Sequence, residues 1–329
     1  MKLTIVLTVY NKEAYLRRAF NALLSQKDVN GDDYEVLVVN DGSTDGSALI
    51  IDEYVKGDDR VRVLTQDNQG LSMARNKGVD AAKGEYVWFV DADDTISRKA
   101  VWLICGATHS GPDVIPIYAK TEGFERIRNM VDRNAKGGRE ILLGGKWEPC
   151  GVFNVFKRSF LLNNALCFIP GIYHEDDEFT PRALYFAQKV KVVPEILYTV
   201  YRDPNSITQV PRAKRAFDYL VVAESLTHFI EAKREKNTDI GKAIYTHAAL
   251  CINNGLYVIS QNSSKEQHSF NLAFSEKKDT LLVSLFAASQ SKYRLEGALF
   301  KLFNDGYVGI YKLLKTINNA IRMKILVVL

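Results

Sequence analysis

Three carboxylates within four residues form the pattern with the clearest chemical meaning in this sequence. Asp91, Asp93 and Asp94 directly follow the apolar run 86–90. That run is too short for a core helix and predicts a buried strand, so the acids would lie where the strand leaves its sheet. Ligands of open α/β sheets bind at the carboxyl ends of strands, and clustered carboxylates suit Mg²⁺ or Mn²⁺ carrying substrate phosphates. The alternative interpretation is an Asp-rich turn that caps the next helix.

Two earlier candidate strands also end in polar residues. The first ends at residues 8–11, which include Thr8, Tyr10 and Asn11, and the second ends at Asp41. Parallel strands share their polarity, so both ends would open on the same edge as Asp91. Tyr10 would offer an aromatic face to a nucleotide base, and Asp41 an acceptor for its ring N–H. Alternatively, Tyr10 belongs to the core, and Asn11 and Asp41 cap helices.

A third polar segment, residues 68–78, lies between the third and fourth predicted strands. It begins with Asn68, and Gly70 stands before a predicted helix, whose N-terminus would be a site for anions. Arg75, one turn into that helix, would reach a phosphate or form an ion pair with the carboxylates at 91–94. The sequence contains neither GxGxxG nor GxxxxGK[ST], so it supports neither a dinucleotide fold nor a P-loop.

The strand and helix patterns predict an α/β fold followed by a helical region. Strands are predicted at 3–9, 35–40, 61–65, 86–90, 114–118, 190–193 and 197–201. Helices are predicted at 13–26, 47–55, 71–82, 177–187, 217–234, 240–260 and 280–289. Alternation in the first hundred residues implies βαβ crossovers and a parallel sheet covered on both faces. Turn-forming residues place a boundary near 203–212, which gives domains at 1–210 and 211–329.

The composition is that of a soluble globular protein, with 47% hydrophobic and 25% charged residues among 329. The scattered spacing of the four cysteines favours reduced cytosolic thiols over disulfides or zinc: Cys105, Cys150, Cys167 and Cys251. We find no signal peptide and no apolar run of 18 residues, so a membrane span is not predicted.

The net charge of +4 belongs to the end of the chain. Residues 290–329 hold seven bases and two acids, which leaves the first 289 residues with a net charge of −1. The body therefore offers no general surface for nucleic acid. Apolar residues alternate with these bases from Tyr293 onward, which fits an amphipathic helix on an anionic membrane. Packing of this tail on the body is the alternative.

These motifs, in this order and spacing, resemble those of the family 2 glycosyltransferases, whose fold is known as GT-A. Residues 8–13 are similar to the opening motif P-x-Y-N-x-E, with Thr8 in place of the proline. Residues 39–45 resemble V-D-D-G-S-x-D, with Asn40 in place of the first Asp. Residues 68–78 are similar to N-x-G-x-x-x-A-R-N-x-G, and residues 91–94 to the D-x-D-D metal motif. The resemblance covers the chain up to residue 95.

The resemblance implies a GT-A domain with a mostly parallel central sheet and helices on both faces. It implies a nucleotide-sugar donor, most often a UDP-sugar, and a divalent metal, Mn²⁺ or Mg²⁺, on the diphosphate. The metal would be held by Asp93 together with Asp91. Carried over by position, the donor-binding residues would be Thr8, Tyr10, Asn11, Asp41, Asn68, Arg75 and Asp91. A Lewis acid is needed because negative charge grows on the leaving diphosphate.

A run of four acids at residues 175–178 opens the predicted helix near 177–187. The helix dipole favours acids in a first turn, so a structural role is one interpretation. The segment is also similar to the E-D motif in which inverting members of the family carry their catalytic base. Inversion requires a carboxylate opposite the leaving diphosphate that removes the proton of the acceptor hydroxyl. We assign this role to Asp176, with Glu175 as the second candidate.

Two further residues are candidates for substrate contacts. Trp147 lies in a loop after a Gly-rich stretch, where its indole would stack on an acceptor sugar or pack in the fold. Residues 201–208 resemble a Y-R…S-I-T element of bacterial capsule and O-antigen transferases. Arg202, within that element, would approach the diphosphate or form a surface salt bridge.

The sequence thus predicts an inverting, metal-dependent glycosyltransferase that extends a lipid-linked glycan in the synthesis of a cell-surface polysaccharide. It would be cytoplasmic and peripheral on the inner face of the cell membrane. One alternative is a sugar-1-phosphate nucleotidyltransferase, although its G-x-G-T-R-L motif is replaced here by residues 8–11. The other is a non-enzymatic membrane-associated subunit on a decayed transferase fold, which the acids at 91, 93 and 176 disfavour.

Overall fold

The computed structural model describes residues 1–202, 212–302 and 306–316. The chain divides into two compact units. The first consists of Met1–Gly171 with Glu175–Pro204, and the second of Ile172–His174 with Asn205–Leu329. The domain boundary predicted near 203–212 falls almost entirely on residues outside the described ranges.

The first unit is built on one sheet, which contains nine strands in the described part of the chain. They are β1 (Leu3–Val9), β2 (Tyr34–Asp41), β3 (Val61–Gln66), β4 (Tyr86–Asp91), β5 (Thr95–Ile96), β6 (Val114–Thr121), β7 (Ile127–Arg128), β8 (Asn154–Lys157) and β9 (Val193–Val200). Their order is β3-β2-β1-β4-β8-β6-β9-β5, with β7 paired to β6.

The predicted parallel arrangement holds for the four strands that precede the acidic motif. β3, β2, β1 and β4 are neighbours and pair in parallel, and every residue of β1 and β2 is buried. Apolar runs of this kind are expected where helices cover both faces of a sheet. Beyond β4 the sheet is more mixed than predicted, because β8 runs antiparallel to both β4 and β6.

Helices surround this sheet and make up most of the described part of the second unit. The first unit contains α1 (Glu13–Leu24), α2 (Ser47–Gly57), α3 (Leu71–Ala81), α4 (Ala100–Thr108), α5 (Gly138–Gly144), α6 (Arg158–Asn163) and α7 (Glu175–Phe186). The second contains α8 (Ala213–Ala232), α9 (Asp239–Ile259), α10 (Ser264–Glu276), α11 (Lys278–Ala287) and α12 (Ser291–Leu302). Short 3₁₀ helices lie at 31–33 and 151–153.

Several segments differ from the sequence prediction, which did not include β5, β7, β8, α5 or α6. Residues 190–193 were predicted as a strand, but Val190 makes only a single bridge to Val114, and the strand begins at Val193. Helix α10 was not predicted, because its buried residues are only Phe270 and Phe274, too few for a clear apolar period. All four cysteines are free, in agreement with the predicted thiols.

A glycine lets helix α3 approach the sheet closely. A Cβ added to Gly78 would lie 2.3 Å from Cγ1 of Val6, on β1. Asn76, two residues earlier, exchanges two hydrogen bonds of 2.9 Å with the backbone of Phe168. The Asn and the Gly of the 68–78 motif therefore fix α3 against its surroundings, and this fixes the position of Arg75.

The end of the described chain packs within the second unit. Tyr307 is fully buried, its ring centroid lies 4.3 Å from that of Phe274, and Ser275 Oγ donates to its hydroxyl at 3.3 Å. Val308 N–H donates to Asn271 Oδ1 at 3.2 Å. The first part of the basic tail thus belongs to the helical core. Within the described ranges, no helix is both long enough and apolar enough to cross a membrane.

Candidate functional site

The carboxyl ends of β1, β2 and β4 bring the predicted donor residues to one edge of the sheet. Thr8 pairs in register with Val39 of β2 and with Asp91 of β4, so it lies between the two acidic strand ends. Tyr10 follows β1 and is 48% exposed, which excludes the core role considered for it. Its ring is therefore available to a planar ligand such as a nucleotide base.

Asn11 shapes the loop after β1. It adopts a left-handed backbone conformation with φ of 51°, and its Oδ1 accepts a hydrogen bond from Thr44 N–H at 2.8 Å. Its own N–H donates to Ser43 Oγ at 3.1 Å. Asn11 thus joins the loops after β1 and β2, and this contact supports a positioning role for its side chain.

Asp41 organises the loop after β3. Its Oδ1 accepts hydrogen bonds from the side chain of Gln66 at 2.6 Å and from Gln69 N–H at 2.9 Å, and its Oδ2 accepts from Gly70 N–H at 2.8 Å. The adjacent Gly42 has a φ of 72°, and a Cβ there would lie 2.7 Å from Asn68 N. The carboxylate predicted to contact a base therefore also holds the loop that leads to Arg75.

Arg75 is the centre of the site. It is 1% exposed, and its Nη1 donates to Glu175 Oε1 and to Asp176 Oδ1, both at 2.9 Å. Its Nη2 lies 3.2 Å from Asp91 Oδ1. One buried guanidinium therefore joins the last residue of β4 to the first two residues of α7. Of the two roles considered for Arg75, the structure shows the ion pair.

The pKa values of this cluster follow from its burial and its excess of acids. Burial alone would lower the pKa of Arg75, but the carboxylates of Asp176, Asp91 and Glu175 raise it above its ordinary value. Burial, and then the charge of Asp176, raise the pKa of Glu175 to about 7. Burial also raises the pKa of Asp176, although Arg75 opposes the change. At least one carboxyl of the pair thus titrates near neutral pH.

The 3₁₀ turn at 151–153 adjoins Asp176. A Cβ added to Gly151 would lie 2.7 Å from Asp176 Oδ1, so this close approach requires a glycine. A hydrogen bond from the Gly151 backbone lowers the pKa of Asp176, in opposition to burial. The turn follows a loop anchored by Glu148, which accepts two hydrogen bonds from Arg128 at 2.9 and 2.7 Å. Trp147, next to Glu148, is half-buried in that loop.

The acidic turn after β4 contains two different kinds of carboxylate. Asp94 is buried, and it accepts hydrogen bonds from the Tyr198 hydroxyl and from Tyr201 N–H, each at 2.8 Å. The Tyr198 hydroxyl in turn accepts from Asp91 N–H at 3.1 Å. Burial, and then the neighbouring charges of Asp91 and Asp93, raise the pKa of Asp94 to about 8. Asp94 therefore attaches the turn to β9.

Asp93 faces two cations that the sequence did not reveal. Lys12 Nζ lies 2.5 Å from Asp93 Oδ2, and Arg18 Nη2 donates to the backbone oxygen of Asp93 at 2.5 Å. The guanidinium of Arg18 also lies 3.7 Å from the centroid of the Tyr201 ring. Lys12 occupies the second x of the opening motif P-x-Y-N-x-E, where any residue is allowed. The sequence therefore provides no indication of its contact with Asp93 beyond its position next to Asn11.

The turn fits a divalent cation. Arg75 engages Oδ1 of Asp91 and Lys12 engages Oδ2 of Asp93, so each carboxylate keeps its other oxygen for a metal. The side chains of Asp91 and Asp93 are 34% and 21% exposed, so both are accessible to solvent. Hard oxygen donors in an open site suit Mg²⁺ or Mn²⁺ completed by phosphate oxygens.

Two predicted donor residues do not contact the carboxylate cluster in the described structure. Asn68 is exposed in the loop after β3. The guanidinium of Arg202 lies 4.0 Å from the centroid of the Phe124 ring, which is a cation–π contact. Their roles with the donor remain predictions. The rest of the Y-R…S-I-T element, residues 203–208, lies outside the described ranges.

Comparison with known proteins identifies the class to which this fold and site belong. The model of glycosyl transferase family 2 matches residues 4–162. The chain is also 31% identical to the glycosyltransferase EpsH of Bacillus subtilis over 265 residues, which are 76% of each chain. It therefore belongs to glycosyl transferase family 2. This confirms the enzyme class and sets aside both the nucleotidyltransferase and the non-enzymatic subunit.

Two solved structures and a second relative extend the comparison. TarS of S. aureus (residues 1–349, with UDP-GlcNAc) has a TM-score of 0.77 and 20% identity over 96% of this chain and 92% of that one. The Pyrobaculum calidifontis mannosyltransferase with GDP-Man and Mn²⁺ has a TM-score of 0.50 and 17% identity, covering 93% and 88%. These likenesses confirm the GT-A fold. The poly(ribitol-phosphate) beta-glucosyltransferase of Bacillus spizizenii is 30% identical over 64% of this chain and 34% of that one.

Proposed function

We propose that this protein is an inverting, metal-dependent glycosyltransferase that uses a UDP-sugar. One observation carries the proposal: Arg75 joins Asp91, at the donor edge of the sheet, to Glu175 and Asp176 at the start of α7. An inverting transfer needs a cation site for the leaving diphosphate and a carboxylate base on the opposite side of the reacting carbon. Asp91 with Asp93 would supply the first and Asp176 the second, and the buried guanidinium of Arg75 bonds both Asp91 and Asp176.

The donor would lie across the carboxyl edge of β1, β2 and β4. Tyr10 covers the base, while Thr8 and Asp41 border it. Asp91 and Asp93 hold the divalent cation, which supplies positive charge to the diphosphate as the glycosidic bond breaks. TarS binds UDP-GlcNAc and the Pyrobaculum enzyme binds GDP-Man with Mn²⁺ on the same fold, which supports a nucleotide sugar and a divalent metal here.

Asp176 takes the proton from the acceptor hydroxyl as that oxygen attacks the anomeric carbon. Burial holds its pKa above the ordinary value, which makes it a stronger base than an exposed aspartate. Arg75 keeps the carboxylate oriented, and Glu175 shares the same guanidinium. Trp147 is placed on a neighbouring loop, where its indole would stack against an acceptor sugar.

The acceptor we propose is a lipid-linked glycan in the assembly of a cell-surface polymer. The relative that acts on poly(ribitol-phosphate) supports a polymer of the cell envelope. Leu302 and Leu313 are 77% and 61% exposed beside exposed lysines of the tail, which supports contact with an anionic membrane from the cytoplasmic side.

A donor screen tests the proposal. Purified protein with Mn²⁺ and a panel of nucleotide sugars should release diphosphate from one UDP-sugar when a glycan acceptor is present, and NMR of the product should show an inverted anomeric configuration. EDTA or Asp93→Ala should abolish release. Asp52→Ala, an exposed acid on α2, is the matched control and should behave as wild type. Retention of configuration, or undiminished activity of Asp93→Ala, would refute the mechanism.

A further inference from the structure

The ammonium of Lys12 and the carboxylate of Asp93 form a close ion pair at the metal motif. The two groups are 2.5 Å apart, and their side chains are 28% and 21% exposed. Arg18 also contacts Asp93, but at its backbone oxygen. Lys12 is therefore the cation that neutralises this carboxylate within the described part of the chain, whereas Arg18 holds the turn in place.

The backbone around Lys12 is fixed, so only its side chain is able to move. Lys12 N–H donates to Ser47 Oγ at 2.9 Å, and Glu13 N–H donates to Asp45 Oδ2 at 3.1 Å. Glu13 Oε2 accepts from Gly46 N–H at 2.9 Å. The lysine side chain itself is a flexible stem with a compact charge that forms ion pairs without a fixed geometry. It can leave Asp93 without disturbing the loop.

We propose that Lys12 is an internal counter-ion that competes with the divalent metal for Asp93 and transfers to the donor diphosphate when the donor binds. This inference rests on the proposed function, because it requires a metal and a diphosphate at this turn. Lys12 would then weaken metal binding to the empty enzyme and strengthen binding of the metal and nucleotide together.

The physical reason is charge balance at one carboxylate. A divalent cation and an ammonium on the same carboxylate repel each other, so each lowers the affinity of the other. A nucleoside diphosphate adds negative charge beside both cations and gives the ammonium a new partner. Metal and nucleotide then bind with positive coupling, and this coupling must be the same whichever ligand binds first. An enzyme with this device binds the metal more weakly until the donor arrives.

Lys12→Met removes the charge and retains the length of the side chain. Titration with Mn²⁺ followed by EPR, without nucleotide, should show about tenfold tighter binding than wild type, equivalent to ~1.4 kcal/mol. UDP binding in saturating Mn²⁺, measured by calorimetry, should weaken by about tenfold, so the coupling between the two ligands shrinks. Lys12→Arg keeps the positive charge and should preserve most of the coupling.

Lys2→Met is the matched control. Lys2 precedes β1, at the opposite end of the strand, and pairs with Glu85 at 3.0 Å. The Lys2→Met variant should bind Mn²⁺ and UDP with the same affinities as wild type. Unchanged or weaker Mn²⁺ binding by Lys12→Met, while Asp93→Asn loses Mn²⁺, would overturn the inference and leave the proposed function intact. Unchanged Mn²⁺ binding by Asp93→Asn would overturn both.

Discussion

Arg75 balances the charges of the buried cluster, and no other described residue bonds Asp91, Glu175 and Asp176 at once. Breaking a buried ion pair by removing one partner leaves an uncompensated charge and typically costs about 3–5 kcal/mol. We therefore expect Arg75→Met to lower the free energy of unfolding by that amount in urea titrations. Arg75→Lys should recover only part of it, because an ammonium lacks the planar fork that reaches three carboxylates.

The stability of Arg75→Met should also depend on pH in a characteristic way. Without the guanidinium, the pKa values of Glu175 and Asp176 should rise further in the folded state. A carboxyl whose folded pKa is raised stabilises the fold below its unfolded pKa, and this stability is lost as the pH rises through the folded pKa. Arg75→Met should thus lose stability more steeply than wild type above pH 7. A variant as stable as wild type at pH 8 would show that Arg75 is not the counter-charge.

The pair at the start of α7 predicts how turnover depends on pH. Because the base must be ionised, kcat/KM should rise with pH with an apparent pKa near 7, which belongs to the coupled pair. Asp176→Asn should lose ~10²–10⁴-fold in rate at every pH while binding nucleotide normally. Glu175→Gln removes the carboxyl whose pKa burial and Asp176 raise to about 7, so the second ionisation of the pair is lost and the rising limb should move to lower pH.

Stopped assays over pH 5–9 and calorimetry with UDP check these statements. Asp52→Asn, which changes an exposed acid on α2 away from the pair, is the matched control and should retain the wild-type profile. If Glu175→Gln abolishes turnover and Asp176→Asn only shifts the profile, the base is Glu175.

The sequence identified the carboxylates of the site but not all of their partners. Asp91, Asp93 and Asp176 stand in recognisable motifs because their chemistry depends on residue type and spacing. Lys12 and Arg18 carry long side chains whose partners depend on the fold, since residue 93 is distant in sequence. Most lysines and arginines lie on the surface, and no local sequence pattern distinguishes Lys12 and Arg18 from them. Only the structure shows that Lys12 and Arg18 both contact Asp93.

At the scale of elements, the parallel pairing of the first four strands was predictable, whereas the strand pairing beyond them was not. Strands β1 to β4 alternate with helices that have clear apolar periods, and such a pattern favours parallel crossovers. Strand β8 has four residues, and its partners β4 and β6 are distant in sequence, so its antiparallel pairing left no local signal. The strand that holds the turn of the metal motif, β9, was predicted at 197–201, but its pairing with β5 and β6 was not.

The attachment of this turn to β9 gives a prediction about stability. Asp94 has a pKa raised to about 8 by burial and then by Asp91 and Asp93, whereas an unfolded aspartate titrates near ~3.9. The stability from this group is complete below the unfolded pKa and is lost as the pH rises through 8. Asp94→Asn resembles the protonated acid, so its advantage over wild type in the free energy of unfolding should grow between pH 5 and pH 9 by several kcal/mol, at about 1.4 kcal/mol for each pKa unit.

Urea unfolding in EDTA at the two pH values provides the measurement. Asp113→Asn is the matched control. Asp113 also accepts backbone hydrogen bonds, from Gln188 and Lys189, but it lies away from the metal motif. The free energy of unfolding of Asp113→Asn should not exceed that of wild type at pH 9. Equal slopes of stability against pH for wild type and Asp94→Asn would mean that Asp94 is ionised throughout.

For the whole molecule, the family model matches residues 4–162, and the helical unit lies beyond that match. The described part of the basic tail is partly core, since Tyr307 and Val308 are buried and Lys312 Nζ bonds Gln267 at 2.9 Å. A deletion that begins at Tyr307 would therefore cut into the fold. A test of membrane binding has to change the exposed charges and leave Tyr307 and Val308 in place.

The exposed lysines 301, 312 and 315 provide that test. Replacing all three with Glu should reduce co-sedimentation with anionic vesicles by about a hundredfold or more, because each base near such a surface contributes ~1 kcal/mol. Lysines 27, 56 and 99 are exposed in the first unit, and the same triple replacement there changes the net charge equally without touching the tail. Binding of wild type should weaken steeply with salt, while turnover on a short soluble acceptor should persist in both variants. Equal vesicle binding by the two triple variants would show that the net charge, and not the tail, governs attachment. Vesicle binding that does not change with salt would contradict the proposed contact with an anionic membrane.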